Sequence, residues 1–293
     1  MHYFFRFPKI LVAAILFSAC THPGTRVIQS PPGYDFSKVV TNKLDLKLKE
    51  ISGLAWDTED DEFLAHNDES GILFILDRES KDIKREYKFG GKGDYEDVAL
   101  FDHVPFILRS DGLITRVVFD ANGSVRGVEE GSIPISGKND FETMYPDTSR
   151  NALIVVCKNC QSDNKKTVSA FAYYPGTGVF DAEPIYVIDA EKVKELSPFK
   201  TSKFQPSAAA IHPITKKLFI ISSASNQLLI ADQNGNPEAV YELGKKLFKQ
   251  PEGITFKNNG DMYISNEGVT SKGTILRFEY TGTVVKDTST VNH

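Results

Sequence analysis

Apolar residues along this chain fall in short runs, each closed by a polar turn, and the runs recur in groups of four. The groups begin at Ser52-Gly53-Leu54-Ala55, Glu96-Asp97-Val98-Ala99, Glu142-Thr143-Met144-Tyr145, Ser207-Ala208-Ala209-Ala210 and Glu252-Gly253-Ile254-Thr255. Successive starts lie 44, 46, 65 and 45 residues apart. A second run ends 14 to 16 residues after each start, on Asn67-Asp68-Glu69, Arg109-Ser110-Asp111, Lys158-Asn159, Ser222-Ser223 and Asn266-Glu267. A third run follows at Ile72–Asp77, Leu113–Asp120, Val168–Tyr174, Gln227–Asp232 and Thr274–Tyr280. A fourth lies at Arg85–Phe89, Glu130–Ile135, Pro184–Ile188 and Ala239–Leu243. Asp111-Gly112, Asn122-Gly123, Asn234-Gly235 and Asn259-Gly260 lie between runs, where residues that tolerate positive φ make tight turns.

Four short strands repeated about every 45 residues predict a β-propeller. The last group lacks its fourth run, and Val40–Leu48 has no group of its own. That strand is expected to close the ring beside Thr274–Tyr280. An all-β fold of five four-stranded blades follows. The six-bladed alternative needs strands that the long third interval does not supply; Asp189–Phe204 reads better as an insertion with a short helix at Ala190–Leu196.

The opening residues have a different pattern. Arg6 and Lys9 precede the apolar run Ile10–Ala19, too short to span a bilayer as a helix. The run ends Leu16-Phe17-Ser18-Ala19-Cys20, which resembles a bacterial lipobox, with Phe17 in place of the usual leucine. Residues 1–19 are expected to be a lipoprotein signal peptide, and Cys20 the acylated residue. Residues 20–35, with Pro23, Pro31 and Pro32, form a tether, 36–283 the propeller and 284–293 a polar tail. Attachment of a monomer to the cell envelope follows, at the outer membrane facing the periplasm, with the membrane and a small ligand or envelope protein as partners. A formal charge of −5 excludes a strongly basic nucleic-acid footprint. Cys157 and Cys160 are the two other cysteines. With no second such pair and no nearby histidine pair, packing cysteines or a local disulfide fit better than a zinc site.

In a propeller, equivalent positions of successive groups form a ring about the axis. Three group starts carry a carboxylate, Glu96, Glu142 and Glu252, and the other two carry Ser52 and Ser207. Asp68 and Glu267, at the ends of second runs, are expected to join them, so these five acids are the candidate metal ligands. Crowded carboxylates repel, and hard divalent cations such as calcium take six to eight oxygen ligands. Arg109, Lys158, Glu69 and Asn266 are expected nearby as ligand- or anion-binding groups. The competing reading assigns the repeated acids to backbone amides of the turns between blades, with Lys158 neutralising two of them. No nucleophile elbow, phosphate loop or dinucleotide fingerprint is present in a fitting context.

Several phrases occur in a telling order: Glu50-Ile51-Ser52-Gly53-Leu54-Ala55, Asn67-Asp68-Glu69-Ser70-Gly71, Gly93-Asp94-Tyr95-Glu96-Asp97, Gln205-Pro206-Ser207-Ala208, Gln250-Pro251-Glu252-Gly253-Ile254 and Ile264-Ser265-Asn266-Glu267-Gly268. Together they resemble the SdiA-regulated family of bacterial envelope propellers, from about Leu46 to Tyr280. The resemblance implies fold and location more than activity. A looser similarity to propeller phytases implies calcium held in an acidic central opening. The expected function is therefore a lipid-anchored propeller binding a ligand, cation or partner in an acidic central channel. A calcium-dependent phosphoesterase, with Arg109 and Lys158 meeting phosphate, is the alternative.

Overall fold

The computed structural model describes residues 29–164, 166–199 and 203–282. The expected signal segment, Cys20 and the polar tail lie outside them. The chain forms five antiparallel sheets, taken in sequence around a ring. A short strand, β1 (Val40–Lys43), comes first. Blade one is β2 (Ile51–Asp57), β3 (Glu62–Asn67), β4 (Ser70–Leu76) and β5 (Ile83–Lys92). Blade two is β6 (Tyr95–Phe101), β7 (Val104–Arg109), β8 (Leu113–Phe119) and β9 (Val125–Ser132). Blade three is β10 (Phe141–Asp147), β11 (Ala152–Cys157) and β12 (Thr167–Tyr174), edged by β13 (Val179–Phe180) and β14 (Tyr186–Asp189). After the helix α1 (Ala190–Leu196) comes blade four: β15 (Ala208–Ile211), β16 (Leu218–Ser222), β17 (Gln227–Ala231) and β18 (Pro237–Glu242). Blade five is β19 (Pro251–Phe256), β20 (Met262–Asn266) and β21 (Thr274–Phe278), completed by β1.

Apolar burial explains the ring. Five hydrophobic clusters are buried, and each joins two neighbouring blades. Blade one packs on blade two through Leu64, Ile75, Val98 and Ile107, and on blade five through Leu54, Phe63, Tyr263 and Ile275. The innermost strands β2, β6, β10, β15 and β19 each touch the next, and β19 returns to β2. No single blade could bury both of its apolar faces, so the sheets are stable only as a closed set.

The closure differs in detail from the expected strand. Val40 pairs with Arg277 and Lys43 with Thr274, but pairing stops there, because Leu46–Leu48 is a turn of 3-10 helix. Asp45 caps that turn by accepting the Lys47 amide at 2.9 Å. The turn brings the chain from the outer edge of blade five to the inner strand of blade one. Strand β9 also starts earlier than expected: Asn122-Gly123 forms the hairpin, with Gly123 at φ 84°, so Val125 already pairs with Phe119. The short helix lies where the third interval predicts it, and its N-cap Asp189 accepts the amides of Glu191 and Lys192.

The segment before β1 belongs to the same core. Tyr34 donates its hydroxyl to the Gly260 carbonyl at 2.6 Å, and Phe36 packs on Phe248 and Phe278 with ring centroids 5.1 and 4.9 Å away. Phe36→Ala is expected to destabilise the domain by about 3 kcal/mol, since a buried phenylalanine loses both transfer energy and packing. Equilibrium denaturation reads this directly; an unchanged midpoint would mean that the N-terminal segment does not seal the ring.

Candidate functional site

A cavity of about 540 Å³ opens where the inner strands begin. Its wall is built in three tiers from equivalent positions of the blades. The first tier is Ser52, Glu96, Glu142, Ser207 and Glu252, one residue from each blade. The second comes from the positions just past β3, β11, β16 and β20: Asp68, Lys158, Ser223 and Glu267. The third, two residues before the first, contributes Asp94, Gln205 and Gln250.

A local irregularity aims the first tier. Tyr95 pairs with Arg109 and Asp97 with Leu108, which leaves Glu96 as an extra residue opposite no partner. Glu142 is extra between the Phe141–Cys157 and Thr143–Val156 pairs, and Glu252 between Pro251–Asn266 and Gly253–Ser265. A bulge of this kind breaks the alternation of the strand and redirects the side chain. The same shift occurs in blade one between Ile51 and Leu54. Beyond the bulges the inner strands turn apolar. Ala55, Ala99, Met144, Ala209 and Ile254 line a second cavity of about 170 Å³.

That apolar surrounding sets the protonation of the acids. Burial, reinforced by the charges of Asp94, Asp140 and Glu252, pushes the Glu96 carboxyl up to about 8, although Lys158 opposes the shift. Burial and the charge of Glu267 raise Glu252 to about 7. Glu267 rises to about 7 through burial and the charges of Asp68 and Glu50. Asp68 is raised too, chiefly by burial, and one of its carboxylate oxygens is buried with no hydrogen-bond partner among the described residues. Glu142 differs from the others: Lys158 binds its carboxylate directly and lies 3.9 Å from Asp140.

Of the residues expected here, Asp68, Glu96, Glu142, Lys158, Glu252 and Glu267 come together in the cavity. Arg109, Glu69 and Asn266 do not line it. Each of these three lies one residue from the repeated position of its blade, and in β20 the alternation of side chains turns Asn266 away from the side that Glu267 takes. Arg109 is held by Asp111 through two hydrogen bonds of 2.9 and 2.7 Å. Glu69 is exposed, while Asn266 is buried and donates to the Leu247 carbonyl and to Thr274. The equivalent position in blade two is Ser110, which does not line the cavity but donates to the lining residue Asp94 at 2.6 Å. Asp94, Gln205 and Gln250 were legible as a repeat, because residues 50, 94, 140, 205 and 250 each stand two before a group start. Lys245 and Lys249, on the loop after β18, reach the mouth without any repeat to announce them.

Two neighbouring features are structural. Asp97, 4% exposed, accepts the amides of Val98 and Met144, each at 2.8 Å, and so fastens blade two to blade three. It makes the amide bonds that the competing reading gives to the repeated acids. Cys157 and Cys160 form a disulfide on either side of Lys158. The nearby Asp163 carboxylate accepts the Ser169 hydroxyl and amide.

The fold is widely shared. A luciferin-regenerating enzyme superposes with a TM-score of 0.52 at 12% identity, covering 83% of this chain and 96% of its own. Glutaminyl cyclase from Myxococcus xanthus gives 0.55 at 12% identity, with coverages of 83% and 96%. A glucose dehydrogenase gives 0.53 at 10%, with 81% and 98%. At such identities these likenesses establish the propeller alone. No curated protein sequence matches the chain. The family model described as SdiA-regulated matches residues 30–269, which cover blades one to four and reach into blade five through β20. The chain is a member of the SdiA-regulated family.

Proposed function

We propose that this protein is a lipid-anchored envelope propeller that binds a divalent cation, of which calcium is the best fit, or a cationic ligand in its acidic axial cavity. The observation that carries this reading is the convergence of Asp68, Asp94, Glu96, Glu142, Glu252 and Glu267 on one cavity. Lys158 is bound to Glu142, and Asp68, Asp94, Glu96, Glu252 and Glu267 make no ion pair among the described residues, with Lys245 and Lys249 only at the mouth. Their neighbours Gln205, Gln250, Ser207 and Ser223 offer further oxygens, which suits a hard cation that takes six to eight. The orphaned Asp68 oxygen is a donor already stripped of hydrogen bonds. The phosphoesterase alternative is weaker, because Arg109 is bound to Asp111 away from the cavity.

Without a cation, the raised carboxyl groups make stability pH-dependent. Glu96 holds its proton in the fold up to about pH 8, whereas its ordinary value is 4.5. The folded state therefore binds more protons over this window, and stability falls as pH rises through it. A cation competes with those protons, so its effect grows in the same direction. Melting in chelator should drop between pH 6 and pH 8.5, and millimolar calcium should restore it more at pH 8.5. Calcium at a hundred times its dissociation constant would add about 2.7 kcal/mol. Glu96→Gln should flatten the pH profile and reduce the calcium shift. No calcium shift at either pH, with Glu96→Gln more stable at pH 8.5, would instead describe a cation-free cavity relieved by neutralisation.

The anchoring part of the reading rests on the run that ends at Cys20. Labelling cells with a radioactive fatty acid should tag the wild-type chain and spare Cys20→Ser. Equal labelling of the two excludes acylation at this residue.

A further inference from the structure

The rim of blade five differs in sign and texture from the cavity it borders. The Gly268 amide donates to the Lys49 carbonyl at 2.7 Å, and the Leu44 amide to the Gly273 carbonyl at 2.9 Å. These bonds hold the 268–273 loop against the segment between β1 and β2. Two large apolar side chains project from the pair: Leu46 is 66% exposed and Val269 58% exposed. Lysines surround them. Lys43 and Lys272 line a surface hollow of about 360 Å³. Lys246, Lys249 and Lys272 line a second, of about 240 Å³, with the hydroxyls of Thr41, Ser271 and Thr274.

The local acids balance the lysines of the first hollow but not those of the second, where Lys246, Lys249 and Lys272 face Glu267. Lys47 is bound to Glu86 at 2.6 Å and Lys49 to Glu50 at 3.4 Å. Asp45 caps its turn, Asp82 borders the first hollow and Glu267 the second. Lys43, Lys246, Lys249 and Lys272 make no ion pair among the described residues.

We infer that this rim is a docking surface for a bilayer containing anionic phospholipid. Four free ammonium groups on long stems match a fluid layer of phosphoryl headgroups, each worth roughly a fivefold gain in affinity near such a surface. The stems can spread over the acyl boundary while the charges stay at headgroup level. Leu46 and Val269 are separate projections that would enter that boundary, rather than one continuous apolar face. A protein interface favours the reverse composition, with an aromatic centre depleted of lysine. The inference is independent of acylation at Cys20.

The test is sedimentation of the full chain carrying Cys20→Ser with phosphatidylcholine vesicles, with and without phosphatidylglycerol. Phosphatidylglycerol should tighten binding by at least about a hundredfold, an advantage that high salt removes. Lys246→Gln with Lys249→Gln and Lys272→Gln should weaken binding to the anionic vesicles by about a hundredfold and leave the neutral ones unaffected. The corresponding three arginine substitutions should retain binding. Leu46→Ser with Val269→Ser should weaken binding to both kinds of vesicle. A glutamine variant that melts like its parent and binds anionic vesicles equally well would overturn the proposal. Displacement of the protein from vesicles by millimolar glycerol phosphate would overturn it too, since the rim would then be a site for a free phosphate.

Discussion

Five inner strands converge on one axis, and the extra residue that three of them carry in a bulge at their first turn is a glutamate. That arrangement forces like charges together at a place in the ring where every blade meets. A regular strand would have kept Glu96, Glu142 and Glu252 in the ladder, facing a neighbouring blade. The bulge turns them into the cavity, and the apolar strand ends beneath them lower the dielectric around their carboxyl groups. Raised proton affinity and the pairing of Lys158 with Glu142 follow from this one constraint, and the proposed cation binding rests on it.

The rest of the molecule keeps that constraint in place. Crowded acids push the inner strands apart, while five inter-blade cores hold them together. Asp97 adds a polar tie between two of the inner strands. The N-terminal segment closes the circle, so the mouth of the cavity cannot relax by opening the ring. The disulfide flanking Lys158 fixes the lysine at the end of β11, where it meets two acids from the next strand inward. The acidic centre is thus bordered, on the blade-five side, by lysines that the ladder does not use.

Much of this was legible in the sequence, for a physical reason. A repeat of about 45 residues shows as a period in the apolar runs, so the blade number, the order of strands, the short helix and the closure by the chain's N-terminal end could be read without coordinates. The repeated glutamates were equally visible. Strand ends were less so, because pairing at Val40–Lys43 gives way to a turn whose apolar residues still look like strand. The largest differences lie one residue apart. Arg109, Glu69 and Asn266 adjoin the repeated positions, and a sequence block places a group only to within its neighbours. In β20 a side-chain period of two turns Asn266 away from the side that Glu267 takes. Lys245 and Lys249 belong to a loop specific to one blade, and no period can reveal them.

The claim at the centre of this account is that the cavity exchanges protons for a cation. Calorimetric titration of calcium into the wild-type protein at pH 7, in two buffers of different ionisation enthalpy, tests it directly. Glu96 has its midpoint at about 8, and Glu252 and Glu267 at about 7. The account therefore predicts saturable binding with release of at least about one proton per cation, and less release at pH 9, where the acids are already ionised. Binding with identical heats in both buffers, or no binding at all, would contradict it.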